Sequence, residues 1–231
     1  MLSEKRTCYK LSDAMFNVDL HSHSVASDDS RATVEQYLKW IGAQRRKGFH
    51  IDGIVLTEHR QFNAEADYSD LSKEYEVLVL KGSELDTRYG HFLVYGINEQ
   101  FAKLINFKDV TMDSFTLMAE ARRHGAIAIP AHPGRIGIGL AEWMAKEISF
   151  PDVRIVERLN AGNRPEEQER AEHLAEQMSY LGIGGSDAHF VSGIARGMTQ
   201  FAHPIGDEKD LVGALLEGNF HPVRIEDTVK E

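Results

Sequence analysis

Short apolar runs alternate with amphipathic stretches along this chain. Phe16 to His23, Gly53 to Thr57, Val77 to Leu80, Ala126 to Pro133, Val153 to Glu157 and Met198 to Phe201 each predict a strand, and Gly53-Ile54-Val55-Leu56-Thr57 is apolar enough to be buried on both faces. Phe92-Leu93-Val94-Tyr95 predicts a further strand paired with its predecessor, and Pro222 to Ile225 a last extended piece. Thr33 with Gln36 makes a capping box for a helix with Val34, Tyr37, Leu38 and Ile41 on one face, closed by Gly48. Further helices are predicted over Met112 to His124 (Phe115, Met118 and Ala119 inward), Leu140 to Glu147 (Trp143 in the core), Arg164 to Tyr180 (Leu174 and Met178 inward) and Asp207 to Glu217. Arg60 to Tyr75 reads as a loop with a weak helix, and Phe101 to Val110 as a connector.

Strands that alternate with helices predict an α/β fold with a mainly parallel sheet. About seven βα units in this length suit a closed or nearly closed barrel. Residues 1–15 read as an amino-terminal tail and 16–231 as one domain.

The chemistry gathers where the strands stop. His21 and His23 are two apart at the end of a strand, so their imidazoles share a face, a pairing that suits zinc, iron or manganese. Later strand ends run into Glu58-His59, Gly82-Ser83-Glu84 with Gly90-His91, Ala131-His132-Pro133 and Gly185-Ser186-Asp187-Ala188-His189. In the polar loop after His23, Asp28 or Asp29 could fold back as a further carboxylate ligand. In barrels of this kind the carboxyl ends of the strands carry the active site. His21, His23, Asp28, His59, Glu84, His91, His132, Asp187 and His189 at one rim therefore predict a multinuclear metal site, whereas His50, His124 and His173 lie scattered elsewhere.

Composition narrows the partners. The formal net charge is −10, from 26 basic and 36 acidic residues, which argues against a broad nucleic-acid surface while leaving a phosphate substrate open. The single cysteine, Cys8, allows no intrachain disulfide and fits a reducing, cytoplasmic setting. No stretch reads as a signal peptide or a membrane span.

Taken together, Asp19-Leu20-His21-Ser22-His23 with Ser27-Asp28, Leu56-Thr57-Glu58-His59, Gly82-Ser83-Glu84 with Gly90-His91, Ala131-His132-Pro133 and Gly185-Ser186-Asp187-Ala188-His189 resemble the PHP (polymerase and histidinol phosphatase) family of metal-dependent phosphoesterases. The resemblance runs over nearly the whole chain after residue 15. It implies a distorted (β/α)7 barrel with two or three divalent ions, zinc, manganese or iron. Carried over by position, His21, His23, Glu84 and Asp187 would hold one ion, Asp28, His59 and His189 a second, and Glu84, His91 and His132 a third, with Glu84 bridging. The chain departs from the family pattern at Asp29, where glycine is usual, and at Glu58, where aspartate is usual, with Arg60 following.

The expected activity is hydrolysis of a small phosphomonoester or nucleotide-type substrate by metal-activated hydroxide. Asp187 or His189 would take or relay a proton, and Arg135, then Arg196, are the candidates for gripping phosphate. Asp19, expected on the same strand face as His21, reads as an orienting partner or a structural acceptor. Histidinol phosphate and phosphotyrosyl protein stay open as substrates. Hydrolysis of a C–N bond and a non-catalytic metal-binding scaffold are the competing classes, and the oligomeric state is left open.

Overall fold

The computed structural model describes residues 15–229, so most of the predicted tail, Cys8 included, lies outside the described residues. Seven strands form one curled sheet in the order β5-β4-β3-β2-β1-β8-β9: β1 Phe16–Ser22, β2 Gly53–His59, β3 Leu78–Thr87, β4 Gly90–Tyr95, β5 Ile127–Pro130, β8 Gly197–Phe201 and β9 Phe220–Arg224. The remaining two, β6 Ile155–Asn160 and β7 Leu181–Gly185, pair with each other, and β7 packs against β1, β8 and β9 while β6 meets β5. The result is the expected distorted barrel. Its helices are α1 Val34–Arg45, α2 Ser69–Tyr75, α3 Glu99–Leu104, α4 Ser114–Arg123, α5 Leu140–Met144, α6 Pro165–Met178 and α7 Glu208–Glu217.

The sheet is more mixed than expected. β1, β2 and β3 run parallel, as do β6 and β7, but β4 is antiparallel to both β3 and β5, and β8 is antiparallel to both β1 and β9. The reason for β4 is local: Gly90, at φ 105°, turns β3 back on itself after two residues. Gly82 lets the hairpin close, because a Cβ there would lie 2.8 Å from the Val94 carbonyl.

Val18, Leu20, Val55, Leu80, Leu93, Tyr95, Ile129, Ile155 and Ile183 form one buried apolar cluster beneath the strand ends. α1 packs on a second cluster through Tyr37, Leu38 and Ile41, and its capping box is as expected. Two helix faces differ from the sequence reading. α4 buries Ser114, Leu117 and Ala121 and leaves Ala119 exposed; α6 buries Leu174 but leaves Met178 40 % exposed, because the helix stops there at left-handed Ser179.

Two register shifts aim the site. β1 carries one extra residue between Asp19 and Ser22 relative to β2, so Leu20 joins the apolar cluster while His21, next in the chain, reaches the strand-end cleft. A bulge of this kind re-aims a side chain at the cost of a ladder bond. The expectation that Asp19 and His21 share a face fails for this reason. β6 shifts in the same way between Glu157 and Leu159, which allows Glu157 and Asn160 to meet each other.

Candidate metal centre

His21 Nε2, His23 Nε2, Glu84 Oε2 and Asp187 Oδ1 converge from β1, β3 and the loop after β7. The two nitrogens are 3.0 Å apart. Glu84 is 3.1 Å from His21 and 3.3 Å from His23, and Asp187 is 3.4 Å from each. Metal–ligand bonds of about 2.0–2.1 Å require donor-to-donor edges of roughly 2.8–3.4 Å in tetrahedral or octahedral geometry. The donors already have that spacing, and imidazole with carboxylate is the set that zinc, manganese or iron takes. The residues therefore fit the ions that the sequence implies.

Two further groups share members with this one. Glu84 Oε1 lies 2.9 Å from both His91 Nδ1 and His132 Nε2. His59 and His189 face each other, Nε2 to Nε2, at 3.4 Å, and each ring packs against His23, at 4.1 and 4.4 Å between centroids. Three groupings able to hold an ion result: His21-His23-Glu84-Asp187, Glu84-His91-His132 and His23-His59-His189.

The sequence reading placed Asp28 with the last pair. Its side chain is instead 80 % exposed and 3.7 Å from the Arg60 guanidinium. Asp29 takes the inward place, with Oδ2 3.3 Å from both His59 and His189. Arg196 is also displaced: it is exposed, and its Nε donates to the Ser192 carbonyl, away from the donors. Arg135 does reach the centre, where Nη2 donates to Asp187 Oδ2 at 2.7 Å, with Asn160 and Asn163 at 3.4 and 3.3 Å.

Glu157 was not singled out in the sequence, because it ends an apolar run and reads as part of a strand. It is fully buried. Oε1 lies 2.8 Å from His21 Nδ1, and Oε2 accepts from the His132 backbone N–H at 2.6 Å and from Asn160 Nδ2 at 2.9 Å. Only glycine fits opposite, since a Cβ at Gly185 would lie 2.7 Å from Glu157 Oε1. A carboxylate on Nδ1 fixes the tautomer that turns Nε2 of His21 toward the donors. His189 is fixed similarly by its own chain, with Nδ1 2.9 Å from the Asp187 carbonyl. His132 and Asp187 sit at positive φ, 28° and 54°. Such non-glycine conformations cost of order 1–3 kcal/mol and persist where the surroundings hold them. Here Glu157 holds the His132 amide, and the His21 carbonyl accepts from the Asp187 amide at 2.8 Å.

Asp19 is a structural acceptor. It takes the amides of Ser186 and Ala195, each at 2.8 Å, and burial pushes its pKa up to about 6 against those hydrogen bonds. Glu58 ties down the loop after His23 by accepting from Ser24 Oγ and Ser27 Oγ at 2.6 and 2.5 Å.

The charges answer one another. Burial alone would depress His21, but the Glu157, Asp187 and Glu84 carboxylates hold it well above its ordinary value. Burial likewise opposes the proton on His23, yet Asp187 and Glu84 raise it to about 9. Glu84 and Asp187 would be raised by burial and are held well below the usual carboxylate range by the histidines. His59 goes the other way: burial dominates and lowers it to about 4.

Comparison with known proteins agrees with the fold. The family model described as PHP-associated matches residues 165–220, the stretch from α6 into β9 that contains Asp187 and His189. PsfC from Pseudomonas syringae PB-5123 is similar in structure, with a TM-score of 0.66, 18 % identity and 93 % of each chain covered. A two-domain protein from Bacteroides vulgatus ATCC 8482, described as containing a "predicted PHP-like metal-dependent phosphoesterase", gives a TM-score of 0.59 at 20 % identity, over 92 % of this chain and 66 % of that one. An amidohydrolase from Chromobacterium violaceum, with bound sulfate and no metal, gives 0.54 at 16 % identity, over 75 % and 87 %. No curated protein sequence matches the chain. No helix among the described residues is long and apolar enough to cross a membrane.

Proposed function

We propose, for a chain that is a PHP-domain protein by its fold and by its segment 165–220, the hydrolysis of a small phosphate ester, a phosphomonoester or nucleotide-type compound, at a site of two or three divalent ions. The observation that carries the reading is Glu84. Its two oxygens lie within 2.9–3.3 Å of His21, His23, His59, His91 and His132, the arrangement of a carboxylate shared between neighbouring ions. Bound there, divalent ions would lower the pKa of a water and offset the charge of the phosphoryl oxygens.

The chain's own residues supply the rest. Glu157 and the Asp187 carbonyl fix the rings of His21 and His189. Arg135 uses Nη2 for Asp187, while Nε and Nη1 have no protein partner among the described residues, so a phosphoryl oxygen can take them. In the balanced reaction the water oxygen ends on phosphorus, the P–O bond to the leaving group breaks, and the leaving oxygen takes a proton. Asp187 and His189, the expected proton carriers, would be taken up as ligands when ions are bound, and a ligand is a poor free base.

The amidohydrolase likeness supports C–N hydrolysis as a second reading. Against it stands the absence, among the described residues, of any lysine paired with the clustered carboxylates. Release of phosphate from a panel of monoesters and diesters by the metal-loaded protein, with His132→Ala alongside, tests the first reading. Turnover lost in the variant is the expected result. A fully loaded protein that releases no phosphate and cleaves amides would favour the second.

A further inference from the structure

We infer that Asp29, and not its neighbour Asp28, is the carboxylate that completes the donor set of His59 and His189, and that the ion held there is the exchangeable one of the centre. The inference rests on the metal-site reading above and adds which residue closes the third position and how that position behaves.

The geometry is a near-equilateral triangle. Asp29 Oδ2 is 3.3 Å from His59 Nε2 and 3.3 Å from His189 Nε2, and the two nitrogens are 3.4 Å apart. These are again the edges of one coordination polyhedron with bonds of about 2.0–2.1 Å.

The loop that presents Asp29 is pinned on both sides of its tip. Ser24 and Ser27 donate to Glu58, and Ser27 Oγ also accepts the His59 amide at 3.0 Å. Ser30 Oγ donates to the His23 carbonyl at 2.7 Å and to the His189 carbonyl at 3.2 Å. Between the fixed Ser27 and Ser30, Asp29 turns toward the two histidines and Asp28 toward solvent. The outward one, Asp28, lies by Arg60, whose Nη1 donates to Asp86 at 3.2 Å. Asp28 is thus placed as a tie to the rim, and Asp29 as a ligand. The extra carboxylate at position 29 is what permits this division.

Accessibility separates the positions. His21, His23, Glu84 and Asp187 are 0–6 % exposed, whereas His59, His189 and Asp29 are 15, 27 and 52 % exposed. Two imidazoles and one carboxylate leave the other places of a four- to six-coordinate ion to water or substrate, and the donor set selects a transition ion over magnesium or calcium. Solvent reaches this ion first.

Cobalt(II) is a suitable probe, because its visible absorption reports coordination independently of turnover. Metal-free wild type, Asp29→Asn and Asp28→Asn would be loaded with cobalt, desalted and measured for ions per chain and absorption. Asp29→Asn should hold one ion fewer than wild type, and Asp28→Asn the wild-type number. A brief pulse of chelator should strip from wild type the ion that Asp29→Asn lacks, with the same spectral loss. Equal melting temperatures of the metal-free proteins would exclude misfolding, since both residues sit on an exposed loop. A wild-type load in Asp29→Asn, an ion lost from Asp28→Asn, or release of all ions together would overturn the assignment. Wild type that binds no cobalt would overturn the metal-site reading itself.

Discussion

Two histidine groups meet in this cleft and are built on different principles. The His21–His23 group lies under the strand ends with its charges sealed from water, and every ring is held by a second partner. The His59–His189 group lies at the mouth, closed by a carboxylate on a loop tip. The contrast appears in the protons. His23 is raised to about 9 by its carboxylates, whereas His59 is lowered to about 4 because burial outweighs its weaker acidic surroundings. Burial with counter-charges makes a site that must give up protons to take a cation; burial with few leaves the His59 imidazole neutral and ready to ligate. Glu84 belongs to both groups and couples them.

The largest effect is expected where the groups join. Glu84→Gln keeps the shape and removes the shared charge, so ion content should fall by at least one per chain and turnover by more than the roughly 10–100-fold that loss of a ligand's partner costs. Elemental analysis and phosphate release would check both.

Glu157→Gln comes next and sharpens the difference between rings held by a side chain and rings held by backbone. The new amide must keep its oxygen on the His132 amide, so its NH2 faces His21 Nδ1 and drives the proton to Nε2, the ligating nitrogen. Metal affinity at the buried position should fall by roughly 10–100-fold, with the Asp29 position little changed. Calorimetric titration with zinc would show one weakened class of site; two equally weakened classes would remove the distinction.

At saturating metal, needed because Arg135 also holds Asp187, Arg135→Ala should raise KM for a phosphate ester by about 10–100-fold, the loss of a hydrogen bond to a charged group of roughly 1.5–3 kcal/mol. Arg196→Ala, on the exposed segment outside the cleft, should leave KM within about twofold.

The smallest effect is on pH. For His23 the folded value of about 9 exceeds the ordinary 6.5, so the stability that its proton lends the metal-free fold is fully present below 6.5 and is lost as pH rises through about 9. Loading at neutral pH should therefore release protons, and apparent affinity should rise with pH over that window. Calorimetry in buffers of different ionisation enthalpy reads the proton count; no release would remove the proposed contrast between the groups.

Much of the centre was legible because strand ends and period-two spacing carry position. His21 with His23, His59, Glu84, His132, and Asp187 with His189 all come together as that logic requires. The misses have physical causes. Which of Asp28 and Asp29 turns inward depends on serine hydrogen bonds to Glu58, His23 and His189, contacts from distant parts of the chain. Asp19 is the structural acceptor that the sequence offers, but its shared face with His21 fails and Glu157 goes unmarked, because a single extra residue in β1 and in β6 changes which way the following side chains point, and nothing local marks a bulge. The antiparallel turns of β4 and β8 escaped because a buried apolar run reads alike in either direction.

The most direct test of the central claim, that overlapping donor groups around Glu84 hold divalent ions, is anomalous diffraction at the manganese edge from manganese-loaded crystals. The account predicts at least two peaks, one bounded by His21, His23, Glu84 and Asp187, and another sharing Glu84 or lying against Asp29, His59 and His189. Crystals with bound manganese only elsewhere, and no peak within bonding distance of Glu84, would contradict it.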